Sequence, residues 1–208
     1  MARGHGENYE RHDAPDEKEN QEAKREGRES ELPAHFESRY KLKASERYEA
    51  NGYSYETDKL GRIKRAEGTL RLENENKADP NSQKKAGGDD RRRKEDGWES
   101  VDDGGHYFAR RFGGSEKIDN LFAQDRHLNR SEYKKMENEF EAKLKERNED
   151  GSQKYKVDVR IDSKYKGDSE RPSTIFVRAK YTDSDGNVER KVYMFKNEAD
   201  DNTRVKNL

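Results

Sequence analysis

The fold is decided by residues 102–147, which read DDGGHYFARRFGGSEKIDNLFAQDRHLNRSEYKKMENEFEAKLKER. The pattern predicts a short apolar and basic strand over 107–112, a loop over 115–129 and a helix over 131–147. Four apolar residues recur at the spacing of one stripe on a helix with 3.6 residues per turn: Tyr133, Met136, Phe140 and Leu144. The stretch therefore predicts a compact ββα unit whose helix packs one face against a core.

Segments on both sides of this unit alternate apolar and polar residues, as half-buried strands do. The predicted strands with this alternation are 53–57, 155–161 and 175–181. Two more strands are predicted at 63–73, where Leu70 and Leu72 lie on one face, and at the apolar run 192–195. A turn is predicted at 58–62, a polar loop at 74–97, and a hairpin turn at Asp185-Gly186 between the last two strands. Strands, then a ββα unit, then strands again predict an α+β domain built on an antiparallel sheet.

The composition allows only a thin core. Of 208 residues, 27% are hydrophobic and 44% are charged, while the net charge is −1. We expect 1–47 to be a charged, disordered linker or upstream remnant, because it is poor in aliphatic residues. The folded domain is predicted over 48–198 and a flexible tail over 199–208. The same composition also permits a mostly disordered charged spacer.

Several classes of protein are excluded by what the sequence lacks. The absence of cysteine excludes disulfides and cysteine zinc sites. No apolar stretch approaches the about 18 residues of a membrane span, so no membrane partner is expected. Residues 1–21 lack the apolar core of a secretory signal. The balanced charge argues against a general basic coat for nucleic acid, so local pairs such as Arg110-Arg111 matter more.

Candidate chemistry is concentrated at His106, Asn120 and Asn129, separated by 14 and 9 residues (120 − 106 and 129 − 120). Hydrolysis of a phosphodiester needs an activated water and stabilised phosphoryl charge. A neutral histidine can accept the proton of that water, and Mg²⁺ prefers a few protein oxygens while keeping most of its waters. We assign His106 as general base, Asn129 as Mg²⁺ ligand, and Asn120 as the residue that orients the loop between them.

Each assignment has an alternative. Asn129 could cap the following helix, although Ser131 could serve there instead. Glu137, which shares roughly one helix face with Asn129, is expected to hydrogen-bond a water on the metal, but it could simply pair with helix lysines. His127 is a candidate ligand, and a solvent-facing histidine is the favoured interpretation. Asp103 is expected to shape the turn, and the glycines before His106 to let a substrate approach the backbone.

The whole run resembles the bacterial DNA/RNA non-specific endonuclease family, whose active unit is the ββα-metal finger of the HNH and His-Me nucleases. The segments that carry the resemblance are 103–106, 110–114, 119–121, Gln124, 128–130 and 133–137. The similarity covers about 53–197, and its nearest branch is the toxin domains exported by type VII systems. Many members carry arginine where this chain has Gly104, and we expect Arg110 or Arg111 to bind substrate in its place.

The resemblance implies a Mg²⁺-dependent endonuclease, with Mn²⁺ able to substitute, that cuts DNA with little sequence preference and leaves 5′-phosphate ends. RNA is the second candidate substrate. It also implies non-classical secretion, action in the cytoplasm of a target cell, and a cognate immunity protein; without export the chain would stay cytoplasmic. The alternative is a catalytically silent module for binding nucleic acid or protein on the same fold, which would retain DNA without cutting it.

Overall fold

The computed structural model describes residues 32–73, 78–87 and 102–197. Its strands are β1 (Phe36–Ser38), β2 (Lys41–Leu42), β3 (Arg47–Ala50), β4 (Tyr53–Thr57), β5 (Ile63–Thr69), β6 (Asp102–His106), β7 (Leu121–Asp125), β8 (Tyr155–Tyr165), β9 (Pro172–Asp183) and β10 (Val188–Lys196). The helices are α1 (Pro80–Ala86), α2 (Arg126–Arg130) and α3 (Glu132–Lys145), with 3₁₀ turns at Arg110–Phe112 and Ile118–Asn120. None of the helices in these ranges has the length and apolar character that crossing a membrane requires.

The main sheet has six antiparallel strands in the order β10-β9-β8-β5-β4-β3. Alternation along β8 and β9 buries one face of the sheet and exposes the other. The buried face packs on α3, whose four predicted stripe residues are all buried. Phe140 lies 6.3 Å from Tyr181 of β9 and Tyr133 lies 5.3 Å from Phe195 of β10, measured between ring centroids. This confirms the predicted α+β class with its antiparallel sheet.

The ββα unit consists of β6, β7 and the two helices that follow. The strands β6 and β7 pair antiparallel, with His106 opposite Leu121. The Tyr107 side chain joins this unit to the main sheet, because its hydroxyl donates to the Ile63 carbonyl at 2.8 Å and lies 2.8 Å from Ser163 Oγ. The ββα unit is therefore hydrogen-bonded to the main sheet.

Two local predictions inside the unit are wrong. The predicted strand at 107–112 is displaced: the strand ends at His106, and Arg110–Phe112 forms a 3₁₀ turn that closes at Gly113 with a φ of 77°. The predicted loop at 115–129 contains both β7 and α2. The polar side chain of Gln124 is fully buried in β7.

A third correction concerns the predicted polar loop at 74–97, of which only 78–87 are described. Those residues hold α1, which begins with proline after Asp79. The Asp79 carboxylate accepts hydrogen bonds from the backbone N–H groups of Asn81 and Ser82, which is an ordinary helix start. The helix α1 packs beside β6. A segment that was predicted to be a connecting loop therefore supports the strand that carries His106.

The domain begins earlier than predicted, because the compact unit starts at Ala34 and not at Tyr48. Phe36 and Leu42 are buried, and the His35 ring stacks on Tyr48 with centroids 4.1 Å apart. The reason is that a few aromatic and aliphatic contacts anchor a short charged segment whose composition alone suggests disorder. Residues 1–31 of the predicted linker, and the predicted tail at 199–208, lie outside the described residues.

Candidate active site

The His106 side chain is paired with a carboxylate. It ends β6, and its Nε2 lies 3.0 Å from Oε1 of Glu116, a carboxylate that is only 8% exposed. An ionised carboxylate accepts hydrogen bonds and donates none, so Nε2 of the neutral ring carries the hydrogen. Nδ1 is then the nitrogen with a free lone pair. Glu116 could not be predicted from the sequence, since one glutamate among many in a polar loop gives no signal before its partner is known.

The two glycines before His106 serve internal packing. A Cβ on Gly104 would collide with the backbone of Gln83 in α1, and a Cβ on Gly105 would collide with the side chain of Gln124. The structure thus gives these glycines a packing role, and the approach of a substrate to their backbone stays a prediction. They allow α1 and the buried amide of Gln124 to lie directly against the strand that carries His106.

Asn120 is completely buried and saturated with hydrogen bonds. Its Oδ1 accepts from the Tyr55 hydroxyl at 2.9 Å and from the Phe108 N–H at 3.0 Å. Its Nδ2 donates to the carbonyls of Phe108 and Ser115 at 2.9 and 2.8 Å. These bonds fasten the loop that follows His106 and carries Glu116. These contacts show how Asn120 fastens the loop, and its predicted role in catalysis stays a prediction.

Asn129 lies on α2 and is held by Asp103. Its Nδ2 donates to Asp103 Oδ2 at 3.2 Å. Because a carboxylate can only accept, the amide nitrogen faces Asp103 and the oxygen Oδ1 points away from it. The capping alternative concerned α3, whose N-cap residue is Ser131 and whose start has no hydrogen bond from a capping side chain. At the start of α2 the carboxylate of Asp125 accepts from the N–H of Leu128 at 2.9 Å.

Asp103 also accepts hydrogen bonds from two arginines, and the sequence did not predict these contacts. Its carboxylate accepts from Arg126 Nε at 3.3 Å, and from Arg130 Nε and Nη2 at 2.9 and 3.3 Å. The residue expected to shape a turn therefore connects β6 to three side chains of α2. Through Asp103, Asn129 is tied to the strand that carries His106.

Glu137 lies in a mixed electrostatic environment. Burial raises the pKa of its carboxyl group, while the positive charge of Arg111 and the electrostatic influence of His106 act against that rise. Arg111 Nη2 lies 3.3 Å from Glu137 Oε2. Because His106 acts electrostatically on Glu137, the two side chains lie near one another. The predicted role of Glu137 beside Asn129 stays a prediction.

The two arginines predicted to bind substrate are engaged by acidic side chains. Arg111 Nη1 donates to Glu141 at 2.6 Å and to Asn138 at 2.9 Å, in addition to its contact with Glu137. Arg110 Nε lies 3.8 Å from Glu116 Oε1. The geometry thus gives both arginines a local role around the carboxylates of the site.

The oxygen atoms of the site suit a hard cation that is bound by few protein atoms. Within the described ranges, no group of three or more His, Asp or Glu side chains could hold a metal ion. Mg²⁺ does not need such a cage, because it keeps several waters and takes one or two protein oxygens. The Asn129 Oδ1, turned away from Asp103, fits that requirement.

The sequence of this chain is similar to that of known proteins. Residues 44–183 match the family model of the DNA/RNA non-specific endonucleases. Type VII secretion system protein EssD of Staphylococcus aureus strain USA300 is 37% identical over 143 residues, which are 65% of this chain and 21% of that protein. The corresponding protein of strain Newman gives the same values. The chain thus spans about a fifth of the length of the curated relatives it matches.

Two solved structures resemble the chain at 16% identity. An extracellular nuclease aligns with a TM-score of 0.47 over 74% of this chain and 85% of that one. An extracellular endonuclease aligns with a TM-score of 0.48 over 76% of this chain and 81% of that one.

Proposed function

Because the chain belongs to the DNA/RNA non-specific endonuclease family, we propose that it hydrolyses phosphodiester bonds of DNA in a Mg²⁺-dependent reaction with little sequence preference. RNA is the second candidate substrate, and Mn²⁺ can replace Mg²⁺. The observation that carries the proposal is the ββα unit itself. One strand bears both the carboxylate-paired His106 and Asp103, and Asp103 orients the amide of Asn129.

The proton transfer is assigned to His106. Its Nδ1 accepts a proton from the attacking water, and Glu116 keeps the hydrogen of Nε2 in place. The carboxylate also stabilises the positive ring that results, since opposite charges lie within hydrogen-bonding distance. Glu137 in its ionised form accepts a hydrogen bond from water in the site, and Arg111 favours that ionised form.

Asn129 is the proposed Mg²⁺ ligand, with Asp103 as the residue that fixes its orientation. Partners of this kind keep a ligand in its binding conformation before the ion arrives. When bound, Mg²⁺ supplies charge stabilisation to a phosphoryl oxygen and to the leaving 3′ oxygen. In-line attack by water forms the new bond to phosphorus and breaks the bond to the 3′ oxygen. One proton of the water goes to His106 Nδ1, and the 3′ oxygen takes a proton from solvent, so the products are a 5′-phosphate and a 3′-hydroxyl.

The biological setting we propose is that of an exported toxin domain. The supporting observation is the 37% identity to proteins named for type VII secretion. On this basis a type VII secretion system exports the chain, which acts in the cytoplasm of a target cell. In the producing cell a cognate immunity protein inhibits it. A transfer experiment with a deletion of the export system tests this setting independently of the chemistry.

Plasmid cleavage tests the enzymatic proposal. The parent protein should degrade supercoiled plasmid with Mg²⁺ and leave it intact with EDTA. His106→Ala should abolish cleavage, whereas the exposed His127 offers a matched control, and His127→Ala should cut like the parent. Equal cleavage by His106→Ala would refute the assignment of the base. If the parent retained DNA at low salt and never cut it, the silent-module alternative would replace the proposal.

The role of Asn129 has its own test. Asn129→Ala should require more Mg²⁺ for half-maximal cleavage, while DNA retention in EDTA stays at the parental level. The same Mg²⁺ response in both proteins would rule out Asn129 as the ligand.

A further inference from the structure

The positive charge next to Asn129 comes from its own helix. Arg126 and Arg130 are one turn apart on α2, and at about 100° per residue they and Asn129 fall within roughly 100° of arc. Their side chains are 40% and 66% exposed. Two guanidinium groups therefore flank the proposed Mg²⁺ ligand on the side of the helix that meets Asp103.

Asp103 organises this group. The carboxylate accepts hydrogen bonds from the Nε of Arg126, the Nε and Nη2 of Arg130 and the Nδ2 of Asn129. One carboxylate shared by two guanidinium groups leaves a net charge of +1, and the three side chains lose conformational freedom before any ligand binds. Guanidinium groups that are already ordered bind phosphate with a smaller entropic cost.

The arginines favoured by the sequence analysis are less suited to this task. Arg111 shares its guanidinium with the carboxylates of Glu137 and Glu141 and with the amide of Asn138, so that cluster has a net charge of −1 when both glutamates are ionised. Arg110 is 31% exposed and lies beside the buried Glu116. Neither arrangement attracts a polyanion as strongly as the group around Asp103 does.

We propose that Arg126 and Arg130 bind backbone phosphates of the nucleic acid next to the bond that is cut, as a phosphate clamp organised by Asp103. This assignment rests on the proposed nuclease site at Asn129 and replaces Arg110 and Arg111 as the main substrate-binding cations. The contacts read phosphates and no bases, which suits an enzyme with little sequence preference.

Salt-dependent binding tests the clamp without any cleavage. The test protein is the full chain with His106→Ala, and the probe is a fluorescently labelled DNA duplex in EDTA. Each phosphate contact that is lost reduces the slope of log K against log salt by about 0.9 for duplex DNA. Arg126→Gln and Arg130→Gln should each lower the slope by about one and together by about two, for two duplexes of unrelated sequence.

Matched variants show whether charge is responsible. Arg111→Gln, and Arg160→Gln on the opposite face of the sheet, should leave the slope at the His106→Ala value. Arg126→Lys and Arg130→Lys keep the charge and should keep the slope, which separates phosphate binding from a structural loss. Unchanged slopes in both glutamine variants, an equal drop for Arg111→Gln, or no binding by the His106→Ala protein would overturn the clamp. Failure of the parent to cut plasmid would instead overturn the nuclease proposal.

Discussion

Replacing Asn120 by alanine should remove a large share of the stability of the domain. The side chain makes four hydrogen bonds, to the Tyr55 hydroxyl, to the N–H and carbonyl of Phe108, and to the carbonyl of Ser115. Asn120 is 0% exposed, so water cannot replace the lost partners without opening the structure. Alanine would therefore leave several buried polar groups without hydrogen bonds.

The magnitude follows from the number of bonds. A hydrogen bond contributes about 1 kcal/mol net, and a buried group left without a partner costs about 1–3 kcal/mol. Four bonds give a loss of about 4 kcal/mol, against a total of about 5–15 kcal/mol for a typical domain. Tyr55→Phe removes one of the same bonds and should cost about 1 kcal/mol. Asn120→Asp should be as damaging as alanine, because its second oxygen would face two carbonyl oxygens.

Urea denaturation at pH 7, followed by circular dichroism, measures these differences as changes in the free energy of unfolding. The expected order of loss is Tyr55→Phe, then Asn120→Ala, with Asn120→Asp at least equal to alanine. A loss for Asn120→Ala no greater than that for Tyr55→Phe would refute the reasoning. So would an aspartate variant with parental stability, since the network requires a donor at that position.

Three further predictions concern charged groups. Asp103→Ala should raise the Mg²⁺ concentration for half-maximal plasmid cleavage by about 10- to 100-fold, measured by Mg²⁺ titration; an unchanged midpoint would contradict its role in orienting Asn129. Arg111→Ala removes a charge that lowers the pKa of Glu137, so that pKa rises and the acid limb of the pH profile for kcat/KM should move to higher pH, whereas Arg111→Lys should move it less. Although burial acts to raise it, hydrogen bonds from arginines hold the pKa of Asp162 below its usual value, so its contribution to stability is present at neutral pH and lost as pH falls below about 4. Asp162→Asn should lower the free energy of unfolding by about 1 kcal/mol at pH 7, because solvent screens these partly exposed ion pairs, and should flatten its decline in acid, as urea titrations at several pH values will show.

Much of the architecture could be predicted from local patterns. Period-two alternation located β8 and β9, because each of these strands has one buried and one exposed face. The apolar run 192–195 predicted β10, in which Phe195 is the buried residue. The stripe from Tyr133 to Leu144 located α3, whose four apolar residues are indeed buried. The spacing of polar residues predicted His106, Asn129 and Glu137 as site residues, and their catalytic roles stay predictions.

Short elements with polar sequences were not predicted. The segments β1, β2, α1, β7 and α2 are at most seven residues long, too short for a clear periodic signal. In β7 the buried amide of Gln124 breaks the expected alternation, and in β1 the neighbouring His35 is buried against Tyr48 and Asp119. Such elements form because the rest of the domain covers them.

The amino-acid sequence by itself determined the long strands and the amphipathic helix, and it supplied His106 and Asn129 as candidates for the chemistry, since periodicity and residue type are local properties. Only the tertiary structure decided which charges meet. Asp103 reaches Arg130 across 27 positions and Arg111 reaches Glu141 across 30. In a chain where 44% of residues are charged, any cation has many possible partners, and the packing of β6 against α2 and of the Arg110–Phe112 turn against α3 selects among them.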